Sequence, residues 1–219
     1  MTSVRPAATL LVVRDGSDGI EVAMGRRPPG GPFGDVWVFP GGAVDAEDRA
    51  AASDAENAWR LAALRETWEE VGLALTDPEG TAIPVGPGSV HDRLMQMGAG
   101  FAVDRLVYLS NWVTPAFVSK RFDTRFYVVE ADGPLASGEE LVEVRWIPAA
   151  KAVELHDRDR FPMIFPTFSH LRYVRDFNRV SDLLTEARKL DVIPAIEPRP
   201  SERGTRTDLV VDNDPRFAP

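Results

Sequence analysis

The chain has 219 residues, an apolar fraction of 44% and a formal net charge of −9. That charge argues against nonspecific binding of nucleic acid, which depends on Lys and Arg neutralising phosphates, and the absence of cysteine excludes disulfides and thiolate chemistry. The length suits one domain with elaborations. The sequence shows no signal-peptide pattern and no apolar run that could span a bilayer, so we expect a cytoplasmic protein with no membrane partner.

The first part of the chain predicts a hairpin that leads into a loop and a short strand. Residues 7–14 and 20–24 have strand-like patterns on either side of a turn cluster at 15–19. Residues 26–34 are rich in Pro and Gly and predict a loop, and residues 36–39 predict a short strand. This strand runs directly into the two glycines of an F-P-G-G segment.

A helix is predicted to begin near Ser53 and to end at Val71. Ser53 followed three residues later by Glu56 is a capping-box pattern, and Gly72 is a typical C-terminal stop. Glu56 is therefore interpreted as a cap rather than as a metal ligand. The apolar spacing predicts that one stripe of this helix is buried: Ala62, Ala63, Thr67 and Val71.

The second part of the chain predicts further strands and covering helices. Strands are expected at 106–113, 124–129 and 141–147, short helices at 90–97 and 148–155, a loop at 76–88 and one long helix at 166–189. We expect one domain over 1–190, followed by an extended Pro-rich, charged tail over 191–219. Strands, a helix, more strands and covering helices predict an α+β fold with a mixed sheet.

Three carboxylates lie within little more than one turn of the predicted 53–71 helix. Glu66, Glu69 and Glu70 project from one side of it, where like charges weaken an isolated helix by about a few tenths of a kcal/mol per pair. Oxygen ligands at this spacing suit Mg²⁺ or Mn²⁺. A lone triplet of this kind also fits a solvated acidic face. Arg65 directly before the triplet, and the F-P-G-G segment upstream, favour the metal site.

F-P-G-G, an acidic segment and R-E-T-W-E-E-V-G-L together resemble the signature of the Nudix hydrolases. These enzymes cleave nucleoside diphosphates linked to another group and use a divalent metal ion. The usual spacing places Asp48 at the first acidic position, beside Glu47, and nine additional residues then precede Arg65. An insertion around 50–59 therefore interrupts the first half of the motif. Whether Asp48, Glu47 or Glu56 fills the first acidic position is left open.

The resemblance implies a mixed sheet sandwiched between α-helices. It also implies that Glu66, Glu69 and Glu70, with the carbonyl of Gly41, bind Mg²⁺ or Mn²⁺. The ion would neutralise the pyrophosphate and lower the pKa of the attacking water. Arg65 would orient the carboxylates through charge-assisted hydrogen bonds. No single catalytic base is identified by the sequence.

Two further segments indicate a branch of this family. N-W-V-T-P, starting at Asn111, and S-K-R-F-D-T-R-F-Y, starting at Ser119, are similar to the pattern of peroxisomal-type coenzyme A diphosphatases. This similarity implies coenzyme A or acyl-coenzyme A as the substrate, with ADP-ribose or NADH as alternatives. A non-catalytic sensor of a nucleotide metabolite is the alternative of another class. In each case the partner is a small nucleoside diphosphate derivative, and a homodimer is left open.

A substrate with several phosphates needs basic side chains near the cleft. The candidates are Arg27, Lys120, Arg121 and Arg125. Strand alternation places Arg121 and Arg125 on one face with Asp123, so ion pairing with Asp123 is the competing interpretation.

Other polar and aromatic residues are given mainly structural interpretations. Trp112 is expected to pack in the core. The three histidines are isolated and lack the spacing of metal ligands, so they are interpreted as structural or solvent-facing: His91, His156 and His170. An acidic group just before the 141–147 strand is the candidate for one extra carboxylate at the cleft: Glu139, Glu140 and Glu143.

Overall fold

The computed structural model describes residues 3–30, 34–84, 86–201 and 209–218. No helix among these residues is both long enough and apolar enough to cross a membrane. The strands are β1 (Arg5–Gly16), β2 (Gly19–Arg26), β3 (Trp37–Val38), β4 (Gly41–Ala43), β5 (Thr76–Asp77), β6 (Gly100–Phe101), β7 (Val107–Val113), β8 (Phe122–Glu130), β9 (Glu143–Pro148), β10 (Ala195–Ile196), β11 (Arg199–Pro200) and β12 (Leu209–Val210). The helices are α1 (Ala46–Ala51), α2 (Ala55–Val71), α3 (Val90–Gln96), α4 (Ala149–His156), α5 (Phe165–Val174) and α6 (Val180–Arg188), with a 3₁₀ turn at Val103–Arg105.

The described residues build a mixed sheet of eight strands around β1. Its order is β10-β7-β8-β1-β2-β3, with β4 also paired to β1 and β9 to β2. One edge of β1 pairs in parallel with β8. The other edge is shared, because β2 pairs with the end of β1 and β4 pairs with its beginning. This division brings the two glycines of β4 next to the first residues of β1.

Helices cover both faces of the sheet, as the family resemblance implies. Leu10 and Val12 point to the face covered by α2, and Leu11 and Val13 point to the face covered by α4, α5 and α6. Successive residues of a strand face opposite sides, so an uninterrupted apolar run is what a strand buried on both faces requires. The expected α+β fold with a mixed sheet between helices is confirmed.

The predicted helix over 53–71 is confirmed with a different N-terminus. It ends at Gly72, whose φ of 75° is the left-handed conformation that glycine adopts most easily. The N-cap is Asp54, not Ser53, since its carboxylate accepts a hydrogen bond from the backbone N–H of Asn57 at 2.9 Å. All four residues of the predicted stripe are buried.

The interpretation of Glu56 as a cap is wrong. Its carboxylate accepts a hydrogen bond from the hydroxyl of Tyr127 at 2.9 Å and forms an ion pair with Arg125. Because Asp54 already accepts a first-turn N–H, Glu56 is free to reach the sheet.

Part of the segment interpreted as an insertion is itself helical, since α1 occupies residues 46–51.

The prediction of one long helix over 166–189 is wrong. Two helices, α5 and α6, are separated at residues 175–179. Asp15, near the end of β1, accepts a hydrogen bond from the backbone N–H of Val180 at 2.8 Å and lies 3.3 Å from Arg179. This side chain caps the start of α6. The apolar spacing continues across the break because both helices bury a face against the same side of the sheet.

The prediction of an extended arm after residue 190 is wrong for the described residues. β10 pairs in parallel with β7 and extends the main sheet. Val211 and Phe217 are buried in the core, and Arg216 donates a hydrogen bond to the carbonyl of Leu109 at 2.8 Å. The segment covers a strand whose edge would otherwise be open. The domain boundary at 190 itself stays a prediction.

Candidate active site

The glycines of β4 allow α2 to approach the sheet closely. A Cβ atom on Gly41 would lie 2.5 Å from the carbonyl oxygen of Ala8, and one on Gly42 would lie 2.4 Å from a carboxylate oxygen of Glu66. Both separations are shorter than atoms tolerate. A side chain at position 41 would therefore meet the backbone of β1, and a side chain at position 42 would displace the carboxylate of Glu66.

Arg65 connects α1, β4 and the acidic face of α2. Its Nε and Nη2 donate to the two carboxylate oxygens of Asp48 at 3.0 and 2.9 Å, and Nη2 also donates to the carbonyl of Ala43 at 3.1 Å. Its Nη1 donates to Glu66 at 2.9 Å and to Glu69 at 2.8 Å. Burial alone would lower the pKa of Arg65, but these carboxylates raise it. The guanidinium is permanently charged and fixed in place.

Asp48 is the acidic residue that pairs with Arg65. It is fully buried on α1, and burial opposes its ionisation, but hydrogen bonds from His91 and Arg65 and from the Asp45 backbone N–H lower its pKa to about 2. Glu47 lies farther away, at 3.9 Å from Arg65. Of the three residues left open for the first acidic position, Asp48 therefore makes the close contact.

Glu70 has an unusual environment for a carboxylate. One oxygen accepts a hydrogen bond from the backbone N–H of Gly41 at 2.8 Å, and the other is buried with no hydrogen-bond partner among the described residues. Burial raises the pKa of Glu70 to about 8 and raises that of Glu66 as well. A buried acceptor without a partner costs about 1–3 kcal/mol. A cation at this position would offset that cost.

A loop after β8 reaches the end of α2 and brings Glu140 to the site. The backbone N–H of Gly138 donates to the carbonyl of Glu70 at 3.0 Å, and a Cβ on Gly138 would lie 1.9 Å from the carbonyl of Glu69. Burial is the main cause that raises the pKa values of Glu66 and Glu70, and the negative charge of Glu140 raises them further. Of the three glutamates predicted as an extra carboxylate, Glu140 is thus placed near the triplet. Glu143, in contrast, pairs with Arg145.

The predicted basic residues are not brought together at one place. Arg27 lies close enough to Glu70 for its charge to lower the pKa of that carboxyl, against the larger influence of burial. Arg125 instead pairs with Glu56 and lies 4.1 Å from the ring centre of Trp59. Glu56 and Glu66 are ten residues apart on α2, which is about 15 Å along the helix axis. Arg125 therefore occupies the opposite end of α2 from the triplet.

Lys120 and Arg121 lie at the loop between β7 and β8. Arg121 donates to the carbonyl of Thr114 at 2.8 Å and pairs with Glu197 at 3.1 Å, while the ammonium of Lys120 lies 5.3 Å from the ring centre of Phe122. The competing interpretation, pairing of Arg121 and Arg125 with Asp123, is wrong. Arg121 contacts Glu197 instead, and Arg125 contacts Glu56 on α2.

The oxygen donors of the triplet suit a hard cation, although they do not converge without one. Among the described residues, no three His, Asp or Glu side chains form a ready-made metal site. Arg65 holds Glu66 and Glu69 towards itself, and Gly41 holds Glu70. The unpartnered oxygen of Glu70 and the exposed side chain of Glu69 leave room for both carboxylates to turn towards an ion.

One histidine belongs to the site, which the sequence did not indicate. His91 on α3 lies with its Nε2 2.8 Å from Asp48, 43 residues away along the chain. His170 is a core residue: its imidazole contacts Ser110 and Pro166, and burial lowers its pKa to about 3. Trp112 packs against the same core, as predicted. No local spacing connects His91 to Asp48, so no sequence pattern could have found this contact.

Comparisons with known proteins concern the family and the fold of this chain. The family model described as the NUDIX domain matches residues 4–165. A crystal structure of a NUDIX hydrolase from Alicyclobacillus acidocaldarius is 31% identical, with a TM-score of 0.75, over 84% of this chain and 97% of that one. A MutT protein from Bacillus halodurans is 14% identical, with a TM-score of 0.53, over 97% and 100% of the two chains, and this likeness concerns the fold alone.

A curated relative, the putative nudix hydrolase 7 of Caenorhabditis elegans, is 29% identical over 131 residues. The match covers 54% of this chain and 43% of the relative. The chain thus spans less than half the length of the curated relative it matches.

Proposed function

Because this chain belongs to the Nudix hydrolase family, we propose that it hydrolyses the pyrophosphate of a nucleoside diphosphate linked to another group. The observation that carries the proposal is the acidic face of α2. Glu66 and Glu70 lie beside the glycines of β4, and Arg65 orients Glu66 and Glu69. The buried oxygen of Glu70, which has no hydrogen-bond partner in the described part of the chain, supports the presence of a cation in the working enzyme.

Glu66, Glu69 and Glu70 would hold Mg²⁺ or Mn²⁺, with the Gly41 carbonyl as a further ligand. When bound, the ion supplies charge neutralisation at the pyrophosphate and makes water more acidic. Arg65 keeps Glu66 in place, and the side chain of Glu69, 42% exposed, can turn away from Arg65. The close backbone of β4 limits the space available to the substrate beside Glu66.

In the proposed reaction, a water oxygen forms a bond to one phosphorus atom while that phosphorus loses its bond to the bridging oxygen. The bridging oxygen leaves with the other phosphate, and the proton of the water passes to solvent. Arg27, the predicted basic residue that lies near Glu70, would bind a substrate phosphate. Arg121 and Lys120 lie in the loop between β7 and β8 and would contact a more distant group of the substrate.

We further propose coenzyme A or acyl-coenzyme A as the substrate. The support is the pair of segments starting at Asn111 and Ser119, which resemble those of coenzyme A diphosphatases. Hydrolysis of coenzyme A would give 3′,5′-ADP and 4′-phosphopantetheine. ADP-ribose and NADH have the same kind of linkage and are the alternative substrates.

The test is product analysis by mass spectrometry with coenzyme A, an acyl-coenzyme A, ADP-ribose and NADH, each with Mg²⁺ or Mn²⁺. The expected result is release of 3′,5′-ADP from the first two. Cleavage of ADP-ribose or NADH alone would support the hydrolase and overturn the coenzyme A assignment. Binding of these compounds without cleavage of any would overturn the catalytic proposal in favour of a nucleotide-metabolite sensor.

A further inference from the structure

His91 contacts the acidic site from a separate part of the fold. It lies on α3, in the excursion of the chain between β5 and β6, and its side chain is almost fully buried. Its ring packs edge-on against Phe101, with 5.5 Å between ring centres. Its Nε2 faces the carboxylate of Asp48, at 2.8 Å from Oδ1. A carboxylate only accepts hydrogen bonds, so the imidazole carries its proton on Nε2 and donates it.

The Asp48 carboxylate receives four hydrogen bonds, two on each oxygen. Oδ1 accepts from Arg65 Nε at 3.0 Å and from His91, and Oδ2 accepts from Arg65 Nη2 and from the Asp45 backbone N–H, both at 2.9 Å. A fully buried carboxylate with all its acceptor positions filled cannot turn without breaking one of these bonds. Its plane is therefore fixed, and with it the plane of the Arg65 fork.

Arg65 transmits this orientation to the proposed metal ligands. The Nη1 that is not used by Asp48 donates to Glu66 and Glu69. His91 is thus connected to these carboxylates through two contacts, first with Asp48 and then with Arg65. Without His91, Oδ1 of Asp48 would keep one donor, and the carboxylate would be held by Arg65 and the Asp45 backbone N–H alone, so that its plane and that of the guanidinium would be less tightly fixed.

We propose that His91 is a positioning residue of this site: by donating to Asp48 it fixes Arg65, and so sets the position of Glu66 for a divalent cation. The inference rests on the proposed function in that Glu66, with Glu69 and Glu70, holds the ion. The groups that support a metal ligand from outside are typically worth about 10- to 100-fold in metal affinity. His91 acts through two contacts, so about tenfold is expected.

The experiment is a titration of the full chain with Mn²⁺ in the absence of substrate, followed by the electron paramagnetic resonance signal of free Mn²⁺. His91→Phe, which keeps a ring against Phe101 and removes the donor, is expected to weaken Mn²⁺ binding about tenfold. His91→Gln, whose amide nitrogen reaches the position of Nε2, is expected to restore binding to within about threefold. His91→Asn, whose shorter side chain does not reach the position of Nε2, is expected to weaken Mn²⁺ binding as much as His91→Phe does.

His156 offers a matched control. It is partly buried, contacts a backbone carbonyl (Phe161, 3.1 Å) and, like His91, packs on an aromatic ring (Phe168, 4.4 Å), but it lies on α4, on the other face of the sheet. His156→Phe is expected to leave Mn²⁺ affinity unchanged. Equal losses in His156→Phe and His91→Phe would mean that a general loss of stability weakens binding, and this would overturn the inference.

A double-mutant cycle tests the route through Asp48. In an Asp48→Asn background, His91→Phe is expected to cause no further loss of Mn²⁺ affinity, because both changes break the same chain of contacts. Additive losses would overturn the proposed route. If Asp48→Asn or His91→Phe does not fold, the comparison of His91→Gln with His91→Asn decides the same question.

These outcomes separate the inference from the proposed function. Equal Mn²⁺ affinities for the wild type and His91→Phe overturn the role of His91, whatever the enzyme hydrolyses. Mn²⁺ binding that depends on His91, without cleavage of any of the four substrates, supports the inference and overturns the proposed reaction. A wild-type chain that binds no Mn²⁺ overturns both.

Discussion

Both ends of α2 carry similar charged residues, but the two ends differ in whether the charged side chains have hydrogen-bond or ion-pair partners. At the N-terminal end, Glu56 contacts Arg125 and Tyr127, and Arg60 donates to two backbone carbonyls. At the C-terminal end, Glu70 keeps a buried oxygen without a partner among the described residues, and burial raises its pKa to about 8. The difference shows that the charged groups of the N-terminal end are paired as folded, whereas Glu70 would gain from a bound cation.

The largest effect is expected for Glu70→Gln. This change should lower kcat/KM about a thousandfold, which corresponds to about 4 kcal/mol of transition-state stabilisation. The metal-free variant should nevertheless unfold at a higher temperature than the wild type, because a buried carboxylate is replaced by a neutral group of the same shape. Steady-state kinetics and thermal unfolding in a chelator measure the two effects. A variant with near-normal turnover at saturating Mg²⁺ would show that Glu70 is no ligand.

The next effect is expected for Arg65→Lys. A lysine keeps the charge but cannot bridge Asp48, Glu66 and Glu69 with one planar group. Disrupting this buried pairing should cost about 3 kcal/mol in the free energy of unfolding, measured by urea denaturation. Arg60→Lys is the matched control on the same helix and should cost about 1 kcal/mol, since it weakens hydrogen bonds to carbonyls without leaving a buried carboxylate unpaired. Equal losses in the free energy of unfolding for Arg65→Lys and Arg60→Lys would mean that the two ends of α2 do not differ in this respect.

Metal addition should affect one end of α2 and not the other. At a free Mn²⁺ concentration ten times the dissociation constant, binding should raise the free energy of unfolding by about 1.4 kcal/mol. Thermal unfolding with and without Mn²⁺ should show this gain in the wild type and in Glu56→Gln, and should show none in Glu70→Gln. A gain that disappears in Glu56→Gln would place the cation at the N-terminal end of α2.

The sequence predicts the C-terminal end of α2 better than the N-terminal end, because the information there is local. Glu66, Glu69 and Glu70 lie within little more than one turn, so helical periodicity alone puts them on one side. Gly72 is adjacent in sequence to the helix that it ends. The partner of Glu56 lies on β8, about 70 residues away, and nothing in the spacing of either residue identifies the other.

The same limit explains the other differences between prediction and structure. The cap of α6 comes from Asp15, 165 residues earlier in the chain, so the unbroken apolar spacing over 166–189 could not show where the helix stops. The contact of His91 with Asp48 also depends on how α3 and α1 pack, not on either local sequence. Helical periodicity shows which side of a helix is buried; it does not show which distant donor or acceptor meets it.

The smallest effect is expected for Glu56→Gln. This change removes an ion pair between side chains that are 40% and 25% exposed, so water screens much of the lost attraction and the cost should be at most about 1 kcal/mol. The amide oxygen can still accept from Tyr127, which preserves part of the contact. Turnover should stay within about twofold of the wild type, because Glu56, the partner of Arg125, lies about 15 Å along α2 from Glu66. Urea denaturation and steady-state kinetics on one preparation measure both. A drop in kcat/KM much larger than the loss of stability would mean that Arg125 contacts the substrate, and that the two ends of α2 form one continuous binding site.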